Sequence, residues 1–188
     1  MAEPIIRCPW CGNDPEYMKY HDEEWGKHTK SERTLFEFLI LESAQAGLSW
    51  ITILKKRAGY RKLFADFDVH RVAAFDDEEI DRICLDPAVV RHRGKIAAAV
   101  QAARIYIALQ QEYGSFYNYL YSFMPNEQPV IQLLDNMQQA PTSSAESDAI
   151  AKDLKKRGMK FFGTTICYAY MQAVGMVNNH LANCSFRS

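Results

Sequence analysis

At 188 residues the chain can bury one sizeable core and is too short for an assembly of several domains. Hydrophobic residues make up 48% and charged residues 24%, which excludes a disordered tail or a collagen-like rod. Twenty-two basic against 23 acidic side chains leave a net charge of −1, which excludes a uniformly basic nucleic-acid coat but not local basic patches.

In chain order the pattern is all-α. Residues 32–44 carry Leu35, Phe36, Phe38, Leu39, Ile40 and Leu41, apolar on most faces, which predicts a buried helix. Ser49 is placed to cap a second helix through Trp50, Ile51, Ile53 and Leu54 into Lys55, Lys56 and Arg57. Asp76 with Glu79 has capping-box form and opens a short helix that Pro87 ends. From Lys95 to about Gln111, Ile96, Val100, Ala103 and Ile107 recur at helical spacing. The polar stretch 135–144 predicts a loop, and Ser143 with Glu146 a capping box for a helix to Lys156, stopped by Gly158. A last helix is predicted over Thr164 to Val177. No stretch alternates strictly, so strands are at most minor. The whole of 1–188 is expected to be one unit, or two interlocked helical subdomains with a pocket between them.

Three basic clusters hold 13 of the 22 cations: 55–62, 91–95 and 152–160. Each can be a solvated helix end. Three in a nearly neutral chain favour a surface that faces a polyanion.

Five cysteines (Cys8, Cys11, Cys84, Cys167 and Cys184) form an odd, sparse set. No signal-like or membrane-length apolar run accompanies them, so a reducing cytoplasm is the expected setting and the thiols are ligands, nucleophiles or core filler. Cys8 with His21 near the start, and His180 with Cys184 near the end, are the best zinc candidates. An i, i+4 pair on a helix would point both side chains to one face. Such a closed two-thiolate, two-imidazole site would be structural. Cys8-Pro-Trp-Cys11 leaves an alternative metal or redox pair open.

Two further constellations stand out. Gly94, in a turn between two predicted helices, offers a backbone amide and a helix start to a phosphate. Trp10, Tyr17, Tyr20, Trp25 and Trp50 cluster in sequence around Glu42, a carboxylate inside an apolar helix. Aromatic walls with one polar reader suit a flat heterocycle, and a core cluster with a paired glutamate is the plainer alternative.

Tyr20 to Gly26, Leu41 to Thr52, Arg91 to Ile96, Lys155 to Tyr168, and Val177 to His180 with Cys184 together resemble 3-methyladenine DNA glycosylase I. The blocks are colinear and cover residues 8–184. The resemblance implies the all-helical helix-hairpin-helix glycosylase fold, and a bacterial repair enzyme that excises 3-methyladenine from alkylated double-stranded DNA. It implies Cys8, His21, His180 and Cys184 as ligands of one structural zinc joining the terminal segments. Glu42 and Tyr20 match base-recognition and catalytic positions, and Trp50, Trp10 and Tyr17 match base-binding aromatics. Gln45, Gly47 and Leu48 match the segment set against the gap left by a flipped nucleotide. Arg91, His92, Arg93, Gly94 and Lys95 match the DNA-binding hairpin, with His92 where many superfamily hairpins have a first glycine.

The chemistry fits those residues. A methylated adenine is a cationic, activated leaving group, so strong general-acid help is unnecessary, and the anionic Glu42 would favour the cation. A monomer without membrane contact, releasing free 3-methyladenine, is the expected state. A zinc-stapled damage sensor without activity and a thiol oxidoreductase using Cys8 and Cys11 are the competing classes.

Overall fold

A computed structural model describes residues 4–187. Helix α1 (Pro15–Glu23) starts where the Asp14 carboxylate accepts from the amides of Glu16 and Tyr17, with proline at the first helical position. Helix α2 (Glu32–Gln45) is buried without a break from Leu35 to Ala44 and packs against much of the molecule, as its largely apolar faces predict. Helix α3 (Trp50–Leu63) follows after a four-residue turn, and the short α4 (Val69–Ala73) and α5 (Asp77–Leu85) lead to the long α6 (Arg93–Tyr113). Helices α7 (Phe116–Tyr121), α8 (Ala145–Lys156) and α9 (Thr164–Ala173) complete the set among the described residues. Buried side chains from Cys8 to Cys184 form one contiguous core.

The expected helices are present, with shifted ends. Asp76 accepts from the Glu79 amide, but the Glu79 carboxylate takes Arg82 instead of closing the box. The α8 box lies one residue later than Ser143 and Glu146. Ser144 and Ser147 exchange side-chain-to-amide hydrogen bonds of 3.2 and 2.8 Å, because Ser147 is buried and also meets the Thr164 hydroxyl of α9 at 2.8 Å. Helix α9 stops at Ala173 rather than Val177. Gly175 has φ +71°, and a Cβ there would lie 2.2 Å from the backbone of Lys27 and His28. That close approach pins the end of α9 to the segment after α1, where Gly26 donates its amide to the Gln172 carbonyl at 2.9 Å.

Strands are indeed minor: β1 (Val130–Ile131) pairs in parallel with β2 (Val177–Asn178), and Leu134 bridges Leu181 just beyond. His180 and Cys184 therefore do not share a helix, contrary to expectation. They sit in the turn after β2, shaped by the Asn178 side chain accepting from the His180 amide. Gly94 is also placed differently: it lies inside the first turn of α6, which His92 caps through Nδ1 and the Lys95 amide. The 135–144 connection is irregular except for a short 3₁₀ turn at Met137–Gln139. No helix among the described residues is long and apolar enough to cross a membrane.

Candidate functional site

The aromatic residues of the N-terminal segment, α1 and α3 meet the C-terminal half of α2 around a slot of about 220 Å³. Trp10 packs 5.1 Å from Tyr17 and edge-on to Trp25 at 4.8 Å, while Tyr20 lies 5.3 Å from Trp50. Glu42 lines the slot and is 3% exposed. It has neither an ion pair nor a hydrogen bond among the described residues. Burial alone pushes its carboxyl up to about 8. Tyr20 is kept protonated by burial and then by the neighbouring Glu42. The indole Nε1 atoms of Trp10 and Trp50 and the Gln45 Oε1 are buried without partners among the described residues. The slot thus offers flat apolar walls and a few unspent polar atoms, an arrangement suited to a heterocycle.

All five aromatics singled out in the sequence line this slot with Glu42. Met137, Ala169 and Gln172 line it too and were not foreseen. Ala169 and Gln172 stand three apart on α9, one face of a helix whose partner no local signal identifies. Met137 projects from a polar loop, and nothing in its neighbourhood marks it.

At the slot's edge, Gln45 Nε2 donates to the Leu48 carbonyl at 2.8 Å, Gly47 takes φ +79°, and Leu48 is 38% exposed. The cations of residues 91–95 divide sharply. Arg93 is tied to Asp81 and Asp77 at 2.6 and 2.7 Å, and Arg91 is exposed without an ion pair among the described residues. Lys95 turns inward, donating to the Ala44 and Ala46 carbonyls at 2.8 and 2.6 Å, so it closes the end of α2.

Beside the slot, one donor atom from each of Cys8, His21, His180 and Cys184 lies within 4.8 Å of all the others, and all four residues are buried. Cys184 Sγ is 3.3 Å from His180 Nδ1 and 3.6 Å from His21 Nε2, and Cys8 Sγ is 3.7 Å from His180 Nδ1. A tetrahedral ion with ordinary metal–sulfur and metal–nitrogen bonds needs edges of roughly 3.5 Å between sulfur and nitrogen. The outer contacts also fit. His21 Nδ1 meets Asp22 at 2.7 Å, Asp22 is gripped by Arg7, and His180 Nε2 meets the Trp25 carbonyl at 3.0 Å. These contacts turn the inner nitrogens, His21 Nε2 and His180 Nδ1, toward the centre of the four-donor group. Burial pushes the Cys8 thiol up to about 12 and His180 down to about 4. Cys11 points away, its thiol on the Cys8 carbonyl at 3.2 Å, and is not among the four.

A helical molecule with an aromatic slot over one buried acid, buttressed by a metal-competent cluster, has the form of a base-excision glycosylase. The family model for methyladenine glycosylase matches residues 10–188, and the chain belongs to that family, whose members hydrolyse N-glycosyl bonds. It is 48% identical over 178 residues to DNA-3-methyladenine glycosylase 1 of Escherichia coli (strain K12), covering 95% of each chain. It is 42% identical to DNA-3-methyladenine glycosylase of Haemophilus influenzae (strain ATCC 51907 / DSM 11121 / KW20 / Rd), covering 95% of this chain and 96% of the other. A variant of 3-methyladenine DNA glycosylase I in complex with 3-methyladenine superposes with a TM-score of 0.93 at 36% identity, covering 97% of each.

Proposed function

We propose that this chain flips 3-methyladenine out of alkylated duplex DNA into the Glu42 slot and hydrolyses its N-glycosidic bond, releasing the free base. The observation that carries this reading is the buried, partnerless Glu42 carboxyl on an aromatic slot, in a chain of the methyladenine glycosylase family. Trp10, Tyr17 and Trp50 would hold the base by its faces. Tyr20 would hold its ring orientation beside Glu42. Ionised Glu42 would accept from the exocyclic amine and attract the positive charge that methylation creates, so an unmodified adenine gains less. Removal of that cation leaves an oxocarbenium-like sugar for water to attack.

Gln45, Gly47 and Leu48, at the mouth of the slot, would fill the gap in the duplex. Arg91 and the α6 start would hold backbone phosphates. The four-donor cluster fits one structural zinc per chain, which would tie residues 8–21 to 180–184 without entering the reaction. A monomer working in a bacterial cytoplasm accords with this reading.

The test is release of free 3-methyladenine from methylated duplex by the wild type and by Glu42→Gln. Release that drops by an order of magnitude or more in the variant, with its fold intact, supports the reading. Tight binding of methylated duplex without base release would replace it with a damage sensor.

A further inference from the structure

Arg57 belongs to the basic cluster 55–62, yet it turns inward instead of facing a polyanion. Its side chain is 11% exposed, and its guanidinium is held between two carboxylates. Nη1 donates to Glu24 Oε1 at 2.8 Å and Nε to Glu37 Oε1 at 2.6 Å. The three residues come from three elements: Glu24 closes the end of α1, Glu37 lies on α2, and Arg57 on α3. These are the helices that carry Tyr20, Glu42 and Trp50 to the slot.

Contacts run from this clamp to the slot walls on both sides. Glu24 directly precedes Trp25, and the amides of Glu24 and Trp25 both donate to the Tyr20 carbonyl at 3.0 Å. Holding the Glu24 carboxylate therefore steadies the turn that joins two wall residues, Tyr20 and Trp25. On the other side, the Arg57 guanidinium lies 5.1 Å over the Phe38 ring. Phe38 is fully buried and backs two walls, stacked on Trp50 at 6.2 Å and tilted against Tyr20 at 6.1 Å. It stands one turn before Glu42 on α2, so ring and acid share a helix face.

A buried ion pair adds little stability over apolar side chains of similar size, because desolvation costs about what the attraction returns. A planar fork that grips two partners at once is better suited to holding a geometry. We propose that Arg57 is a positioning residue of the base slot, setting the gap between the Tyr20 and Trp50 walls through Glu24 and Phe38. The inference rests on the glycosylase reading for its ligand, a flat base whose stacking depends on wall spacing.

The test reads intrinsic fluorescence and affinity for free 3-methyladenine, both well below the thermal midpoint, and then the midpoint itself. All three tryptophans of the chain line the slot, so their emission reports its walls. Glu24→Ala cuts the tie to α1 and leaves Arg57 on Glu37, so the fold should persist. Emission should move to longer wavelength as water reaches the indoles. Base affinity should fall about 3- to 10-fold, a partial loss of one stacked contact. Arg57→Lys keeps the charge without the planar fork and should weaken base binding in the same way. Arg61→Gln is the control, because Arg61 bonds the same Glu37 oxygen but pairs with neither Glu24 nor the Phe38 ring among the described residues. It should lower the midpoint while emission and affinity stay at wild-type values. Wild-type emission and affinity in both Glu24→Ala and Arg57→Lys, or an equal affinity loss in Arg61→Gln, would overturn the proposal. If wild-type protein binds no 3-methyladenine, the glycosylase reading fails, and the emission shift by itself still decides the positioning role. Normal base binding that none of these variants alters rejects the positioning role alone.

Discussion

Glu42→Gln separates a carboxyl held ready for a ligand from one that supports the fold. In the unfolded chain Glu42 ionises near 4.5, and in the folded chain near 8. Between those values the folded protein keeps a proton that the unfolded chain has released, so stability falls as pH rises through this window. A shift of that size corresponds to about 5 kcal/mol at most, reached above pH 8, with water entering the open slot reducing it. Glutamine keeps the shape and never ionises. Denaturant unfolding at pH 5 and pH 9 should therefore show the variant nearly matching the wild type at pH 5 and exceeding it at pH 9. Affinity for 3-methyladenine at pH 9, where the wild-type carboxylate is charged, should be weaker in the variant by about 10- to 100-fold, the loss of a charged hydrogen bond of about 1.5–3 kcal/mol. Parallel stability curves with unchanged base affinity would refute the reasoning. A variant destabilised at both pH values would show Glu42 to be a structural partner instead.

Cys184→Ala should abolish metal binding, measured as zinc per chain, and lower the thermal midpoint, while a double variant lacking Cys8 and Cys184 that still holds a full equivalent would reject the ligand set. Lys95→Met removes the donor to the Ala44 and Ala46 carbonyls, which should cost about 1–3 kcal/mol in denaturant unfolding. If Lys95 is chiefly a phosphate contact, duplex affinity will fall without any change in stability.

The sequence made α2 legible because it is apolar on most faces, and Glu42 because an acid within such a helix needs a reason. The same logic applied to Glu37, which is equally buried, would have misled. Glu37 is satisfied by Arg57 and Arg61, 20 and 24 residues away, whereas Glu42 has no such partner. Only tertiary structure separates the two. The segment 91–95 shows the opposite limit, since Arg91, Arg93 and Lys95 read as one basic cluster. In the fold one is free, one serves α5, and one serves α2. For the metal cluster the residue types were visible but their geometry was not. Four donors converge through a turn after β2 that no helical spacing predicts. Helices α1, α4 and α7 escaped notice. The last two have only five and six residues, too few for a period to emerge.

The cluster closes over a long stretch of chain: Cys8 meets His180 across 172 residues. Two of its imidazoles also carry the slot wall, His21 beneath Trp10 at 5.3 Å and His180 beneath Trp25 at 4.6 Å. Contacts so distant in sequence form late, because their loop-closure entropy must be offset by structure already in place. A growing chain can therefore build α2 through α6 while the walls around Glu42 are still unset. The slot is then the last feature to mature during synthesis, complete only when residue 184 docks against residue 8. Any lesion that loosens that final clasp would leave α2 through α6 folded and the slot around Glu42 without its walls.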